Sequence, residues 1–362
     1  MRVCVVVPYD LAEQGGVKRH AFQLAAALRE LGDDVTVMGA SSTAADEPHV
    51  RVFGGIINIR SNGSDNHLAV LTPPWRIRRW LHEQAFDVIH VHEPLCPLLA
   101  PWAALFHGSA ALVGTFHAYA EHEEWLPRVL RKACGPLVLP RFARAIAVSE
   151  PAANYARYVW KRELAIIPNG IATDIFRASA PTTAPGAPVR LLFIGHWRDD
   201  RKGLPVLLAA VAALHARNIP VTLDVIGSGP SDAPPSTLPN VRFHGPISDA
   251  AVVATHLRAC DVFVAPSTGQ ESFGIVLLEA MASGRAIVCS DIAGYRLVVD
   301  RETARLVPPG SADALAEALA ALVANPAARA AMGIAGAKHA EVYAWSSVVH
   351  RVRAEYVAAQ AS

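Results

Sequence analysis

Several things are scarce in this chain, and each scarcity removes a class of protein. There are only five cysteines among 362 residues. Cys4, Cys96, Cys134, Cys260 and Cys289 are scattered, odd in number and without a C-x-x-C pair, which argues against a disulfide framework or a cysteine-built zinc site. A reducing cytoplasm is the compartment expected from that usage. Net charge is close to nil, at +1, so no global field attracts nucleic acid, and an anionic partner has to meet a local cluster of Lys or Arg. No apolar run approaches the roughly 20 residues needed to span a bilayer. The first, Val3 to Val7, breaks at Pro8 and is too short for a secretory signal. The dinucleotide fingerprint G-x-G-x-x-G is missing after Gly15-Gly16, and Gly227-Ser228-Gly229 runs into P-S-D-A-P-P, which cannot open a helix cleanly. A nicotinamide dehydrogenase is therefore disfavoured.

What is present points to two α/β domains. The length suits two cores, and 52% apolar with 18% charged residues describes an ordinary globular composition. Twice the chain begins a β-branched run, a polar glycine loop and a helix-period pattern, at Val3 and again at Val189. Further strands are predicted at 34–38, 50–53, 88–92, 111–115 and 145–148, then at 221–226, 241–244, 262–265, 286–289 and 304–307, alternating with helices. Helices are predicted at Ala312–Ala324, at Pro326–Ala340 and from near Trp345. Such alternation predicts two doubly wound sheets with ligands at the carboxyl ends of strands. Expected domains are 1–168 and 189–344, with 169–188 as a Pro-, Ala- and Thr-rich linker segment and 345–362 a helix crossing back to the first domain.

Several residues could carry chemistry. Glu271 and Glu279 lie eight apart in G-Q-E-S-F-G-I-V-L-L-E-A-M-A-S-G. A helix opening near Ser272 to Gly274 would aim free N–H groups at a ligand, and ionised carboxylates accept hydrogen bonds from sugar hydroxyls. The spacing alone equally describes an amphipathic helix edge and a solvated loop acid. Arg201 and Lys202 follow a strand end, where adjacent cations can neutralise a diphosphate without a metal; a solvated loop is the plain alternative. Gly15 and Gly16 could admit a phosphate to backbone N–H groups. His117 ends a strand at the expected cleft. His90 and His92, alternating along a strand, could in principle form a metal pair with Glu93, but no further ligand is evident, and no metal site is expected. In P-P-W-R-I-R-R-W, the residues Trp75, Arg76, Arg78, Arg79 and Trp80 have the composition of an interfacial helix on anionic lipid. Arg128, Arg131 and Lys132 could extend that surface, and a core-facing helix with a solvated basic side remains the alternative. Nothing suggests base stacking on nucleic acid.

These segments, together with F-D-V-I-H-V-H-E-P, G-T-F-H, A-V-S-E, I-P-N-G-I-A-T-D-I-F and R-K-G, resemble glycosyltransferase family 4, the retaining nucleotide-sugar enzymes of GT-B fold, over most of the chain. Within the family the chain is most similar to the phosphatidylinositol mannosyltransferases. The resemblance implies two Rossmann-like domains facing a central cleft, GDP-mannose or a UDP-sugar as co-substrate, a lipid acceptor, and an enzyme peripheral on the inner face of the cell membrane. It implies that Glu279 binds ribose, that Glu271, Ser272 and the backbone of Phe273, Gly274 and Ile275 hold the donor sugar, and that Arg201 and Lys202 hold the diphosphate. Gly15, Gly16, His196 and Ile247 would complete the donor site. His117 would contact the sugar, and Tyr9, Lys18 and Asn62 would face the acceptor. Three positions depart from the subgroup. His196 replaces arginine, Lys18 replaces glutamine and Ala118 replaces threonine, so the inositol acceptor is in question while the transfer chemistry is not. Alternatives at this point are another acceptor with a UDP-sugar donor, a nucleotide-sugar epimerase of the same fold, or a binding protein that has lost catalysis.

Overall fold

The computed structural model describes residues 1–362 except 13–14, 44–47, 62–63, 71–72, 120–124, 180–183, 185, 198, 229–237 and 270. Asn62 thus lies outside the described residues, as do the side chains of Arg128 and Arg131. The chain forms two compact units, Met1–Gly170 with Trp345–Ser362, and Ile171–Ala344.

The first unit runs β1 (Arg2–Asp10), α1 (Gly16–Glu30), β2 (Asp34–Ala40), β3 (Val50–Val52), β4 (Gly55–Ser61), β5 (Ser64–Val70), α2 (Pro74–Gln84), β6 (Val88–His92), α3 (Leu99–Leu105), β7 (Ala111–Phe116), α4 (Trp125–Val138), β8 (Arg144–Ala147), α5 (Glu150–Ala156) and β9 (Ala165–Ile166). Its sheet is ordered β3-β2-β1-β6-β7-β8-β9, and these neighbours pair in parallel. The continuous run Val3 to Val7 suits β1 because a central parallel strand is covered on both faces, and all five residues are buried. The sequence reading did not foresee the antiparallel hairpin β4–β5, which pairs Gly55 with Val70 through Ser61 with Ser64 and joins β1 at Tyr9 opposite Leu68.

The second unit runs β10 (Val189–Ile194), α6 (Leu204–Ala216), β11 (Val221–Ile226), β12 (Val241–Phe243), α7 (Ala250–Ala259), β13 (Val262–Ala265), α8 (Ile275–Ala282), β14 (Ala286–Ser290), α9 (Ala293–Arg296), β15 (Arg305–Val307), α10 (Ala312–Ala324) and α11 (Pro326–Ala340). The strand order β12-β11-β10-β13-β14-β15 reverses direction between β10 and β13, and ligands of such sheets bind outside that reversal. Separate apolar cores fill its two faces, one around Leu277, Leu278 and Phe263, the other around Leu191, Leu207 and Leu319. Sharp caps fix the last two helices. Ser311 Oγ accepts from Ala314 N at 3.2 Å and Asn325 Oδ1 from Ala328 N at 2.9 Å, with Pro326 opening α11.

Residues 169–188 differ from a plain linker. Ile171 and Phe176 are wholly buried in the second unit's core, and the buried Arg285 guanidinium donates to the Ser179 and Cys260 carbonyls. The final helix, α12 (Trp345–Gln360), belongs to the first unit. Its Arg353 bonds Asp33 at 3.0 Å and its Glu355 pairs with Arg144 at 3.1 Å. Among the described residues no single helix is long and apolar enough to cross a membrane.

Candidate active site

In the second unit the loops leaving β10 and β13 meet backbone to backbone. Gly203 sits in the left-handed region at φ +73, and a Cβ there would lie 2.0 Å from the Pro266 carbonyl oxygen. Thr268 N donates to Arg201 O at 2.7 Å. Glycine is therefore required twice over at position 203, by conformation and by space. The close approach sets Lys202 Nζ 2.5 Å from Glu271 Oε1. Ser267 Oγ lies 3.4 Å from the same oxygen and 2.7 Å from Tyr295 Oη. From the far side Gly294 supports Glu271, since a Cβ at 294 would come within 1.9 Å of the Glu271 carbonyl oxygen. Neither Ser267, Gly294 nor Tyr295 carried a signal in the sequence reading.

Helix α8 begins next to this cluster. Its N-cap, Gly274, has φ +91 and supplies no side-chain cap, so the first N–H groups of α8 lack a side-chain acceptor and suit an anion or hydroxyl. Glu279 is fully buried one turn inside. A carboxylate placed there costs several kcal/mol unless it is well hydrogen-bonded, which is a poor choice for a helix serving only as packing. Phe273 is buried in the core, so only its backbone can face a ligand. Ser272 and Ile275 are half-buried, and half-buried Ile247 packs against that core.

Two donor-side residues are already engaged by neighbours. Arg201 is not an open phosphate fork. Its Nε and Nη2 bond both oxygens of Asp199 at 2.9 and 2.6 Å, so its charge is largely matched within the loop. His196 is exposed, and its Nδ1 is held by Ser228 Oγ.

In the first unit His117 is buried, and its Nε2 lies 2.9 Å from His92 Nδ1. The backbone N–H groups of His117 and Ala118 both donate to Glu93 Oε1 at 2.6 Å, which fixes the turn after β7. His90 bonds Tyr356 Oη at 2.7 Å and Thr115 Oγ1 at 2.6 Å. The combination of His90, His92 and Glu93 as metal ligands therefore does not form, because His90 and Glu93 are engaged elsewhere. The residue that does join His92 and His117 is His20 of α1, absent from the sequence reading because a lone histidine on an apolar helix face gives no signal. Burial pushes the His20 and His90 imidazoles down to about 3. Burial, then the neighbouring imidazoles, holds His92 and His117 well below the usual histidine range.

Of the acceptor-side residues, Tyr9 is half-buried at the end of β1, and Lys18 lies with its ammonium 5.8 Å from the Phe22 ring centroid. Gly15 is extended at φ −166 and has nothing within 4 Å of a Cβ, so neither strain nor crowding within the described chain demands glycine there. On α2, Trp75 is 69% exposed beside exposed Arg76, Arg78 and Arg79, with Arg79 bonded to Glu83 at 2.7 Å. Trp80 does not share that surface. It packs between Phe53 and Phe86 with ring centroids 5.4 Å away on each side, on the same face as buried Ile77 and Leu81.

Residues 14–175 match the family model described as Glycosyltransferase Family 4, and residues 188–325 match that described as Glycosyl transferases group 1. The chain is 36% identical over 365 residues to the phosphatidyl-myo-inositol mannosyltransferase of Mycobacterium leprae (strain TN), covering 98% of this chain and 96% of that protein. In fold it resembles sucrose-phosphate synthase from Thermosynechococcus elongatus, with a TM-score of 0.76 and 21% identity over 98% of each chain. It also resembles Anabaena Alr3699/HepE in complex with UDP-glucose, with a TM-score of 0.73 and 17% identity over 98% of this chain and 99% of that one. The chain belongs to glycosyltransferase family 4, has the α/β architecture of the GT-B enzymes and is a hexosyltransferase.

Proposed function

We propose that this enzyme moves mannose from GDP-mannose to a hydroxyl of the inositol ring of phosphatidylinositol, working peripherally on an anionic membrane surface and retaining the anomeric configuration. The observation that carries this reading is the 36% identity, over nearly the whole of both chains, to a protein named for that reaction. It is supported by the Lys202–Glu271 pair and the buried Glu279 at the uncapped start of α8.

On this reading Glu279 accepts from the ribose hydroxyls, while Glu271 and the backbone of residues 273–275 hold the mannose. Lys202 and Glu271 neutralise each other at 2.5 Å. An arriving diphosphate competes for the ammonium, which then stabilises the leaving group, and the released carboxylate accepts from a sugar hydroxyl. The acceptor oxygen attacks C1 from the face that the diphosphate leaves. The C1–O bond to phosphate breaks, the new C1–O bond forms, and the departing phosphate oxygen takes the hydroxyl proton. Arg201 supports the diphosphate only after exchanging Asp199. To His117 we assign a contact with the transferred hexose, and to Tyr9, Lys18 and Asn62 the acceptor head group. Gly15, Gly16 and His196 complete the phosphate environment. Trp75, Arg76, Arg78 and Arg79 form the lipid-facing side of α2, with Trp80 as its anchor in the core.

The test is transfer of labelled mannose from GDP-mannose into lipid extract with and without phosphatidylinositol, alongside thermal stabilisation by GDP, UDP and ADP. Label in an inositol lipid and stabilisation by GDP are expected. Label confined to water-soluble product overturns the lipid acceptor. Label in a different lipid overturns only the choice of inositol, the point at which Lys18 and Ala118 depart from the mannosyltransferase pattern.

A further inference from the structure

His20, His92 and His117 come from three separate elements, α1, the end of β6 and the turn after β7, yet their rings form a nearly equilateral triangle. Centroids are 4.9, 5.1 and 5.4 Å apart, and one ring nitrogen from each lies within 4.8 Å of the others. All three side chains are buried, at 4%, 0% and 7% exposure. His20 Nδ1 and His92 Nε2 are both buried without a hydrogen-bond partner among the described residues, although the Asn169 side chain lies beside His20; leaving such nitrogens unpaired is costly.

We propose that these three imidazoles form a site for a divalent transition metal, Zn2+ in the first instance, and that its occupancy switches the enzyme off. Neutral imidazole is the ligand form. Three histidines leave a fourth tetrahedral position for water or an anion. Bonds of about 2.0–2.1 Å require side-chain movements of about 1 Å, within reach of small χ adjustments. His90 stacks on His92 with centroids 4.5 Å apart and supports its ring. The Glu93 carboxylate, bonded to the His117 N–H, places negative charge in the same turn. An all-nitrogen site takes Zn2+, Co2+ or Ni2+ and not Mg2+, which requires oxygen ligands. Metal bound here withdraws His117 from the hexose. This inhibition, unlike the binding, rests on the role assigned to His117 above.

The experiment uses tag-free, chelator-treated protein titrated with Zn2+ and, for its visible absorption, Co2+. The H244A/H256A variant serves as a control, because the His244 and His256 rings meet edge to face with centroids 4.7 Å apart beside Asp224 and could bind metal adventitiously. One tightly bound equivalent with tetrahedral Co2+ bands is expected in the parent and in H244A/H256A, with affinity at least about 100-fold weaker in H20A and H92A. Mg2+ is expected not to compete. Should H92A fail to fold, H20N carries the same comparison from α1. Absence of a stoichiometric site, or unchanged affinity in the His20 variants, overturns the site. Stoichiometric binding without loss of transfer activity overturns the inhibition alone.

Discussion

Gly294→Ala offers the sharpest test of how Glu271, the carboxylate to which we assign the sugar contact, is held. A methyl group at 294 would sit 1.9 Å from the Glu271 carbonyl oxygen and 2.7 Å from its carbon. Backbone cannot yield as a flexible side chain does, so the Glu271 turn must retreat by about 1 Å, a displacement that can cost an enzyme about 100-fold. The Lys202–Glu271 contact at 2.5 Å and the Ser267 contact at 3.4 Å are both lost over such a distance. We expect kcat with saturating donor to fall about 100-fold and overpacking to cost about 1–3 kcal/mol of stability. Initial rates would be compared with calorimetric affinity for the nucleoside diphosphate. That ligand lacks the hexose, so its binding is expected to fall far less than turnover. A variant within twofold of parental turnover, or one losing nucleotide affinity and turnover equally, would refute the view that Gly294 acts through the sugar contact.

Lys202→Ala is expected to lower kcat by about 100-fold or more with the fold retained by circular dichroism, and full turnover would remove Lys202 from the leaving-group role. Trp75→Ala should abolish binding to anionic vesicles while shifting stability by no more than about 0.5 kcal/mol. Trp80→Ala, which opens a gap between Phe53 and Phe86, should cost about 2–3 kcal/mol. Equal denaturant midpoints for the two variants would contradict the division of the tryptophans between surface and core. Stability should also fall with acid. His20 and His90 are held at about 3 in the fold against about 6.5 in the unfolded chain, so below pH 6.5 the unfolded state binds more protons. The loss runs from about pH 6.5 toward 3 at about 1.4 kcal/mol per pH unit for each ring. A urea midpoint unchanged between pH 7.5 and 5 would show that these rings are not buried neutral.

Much of the fold was legible because its central strands are apolar runs and some of its helices, among them α5, α7, α10 and α11, carry side-chain caps. Ser311 and the Asn325-Pro326 step set the limits of α10 and α11, and these matched the sequence reading residue for residue. The hairpin β4–β5 was not predicted even though Asn62-Gly63 between Ser61 and Ser64 is a strong hairpin signal. In the candidate site, Glu271, Glu279 and Lys202 could be found because their spacing relative to strand ends and glycines is local. Asp199 capturing Arg201, Gly294 beneath Glu271, and His20 beside His92 and His117 could not be read, because each depends on elements brought together by the sheet. Trp75 and Trp80 illustrate a subtler difficulty. They are five residues apart on an 11-residue helix, about 140° around its axis, so composition alone could not place them on one surface.

The helix Trp345–Gln360 completes the first unit, although 174 residues of the second unit, Ile171–Ala344, intervene in the chain. Tyr356 supplies the partner of His90, and Arg353 and Glu355 pair with Asp33 and Arg144. During synthesis at about 5–20 residues per second, the first unit therefore waits roughly 10–35 s for its last helix. The continuous second unit can fold in that interval. The protein is thus expected to be assembled in the reverse of its chain order, with the histidine cluster among the last features to acquire its native surroundings.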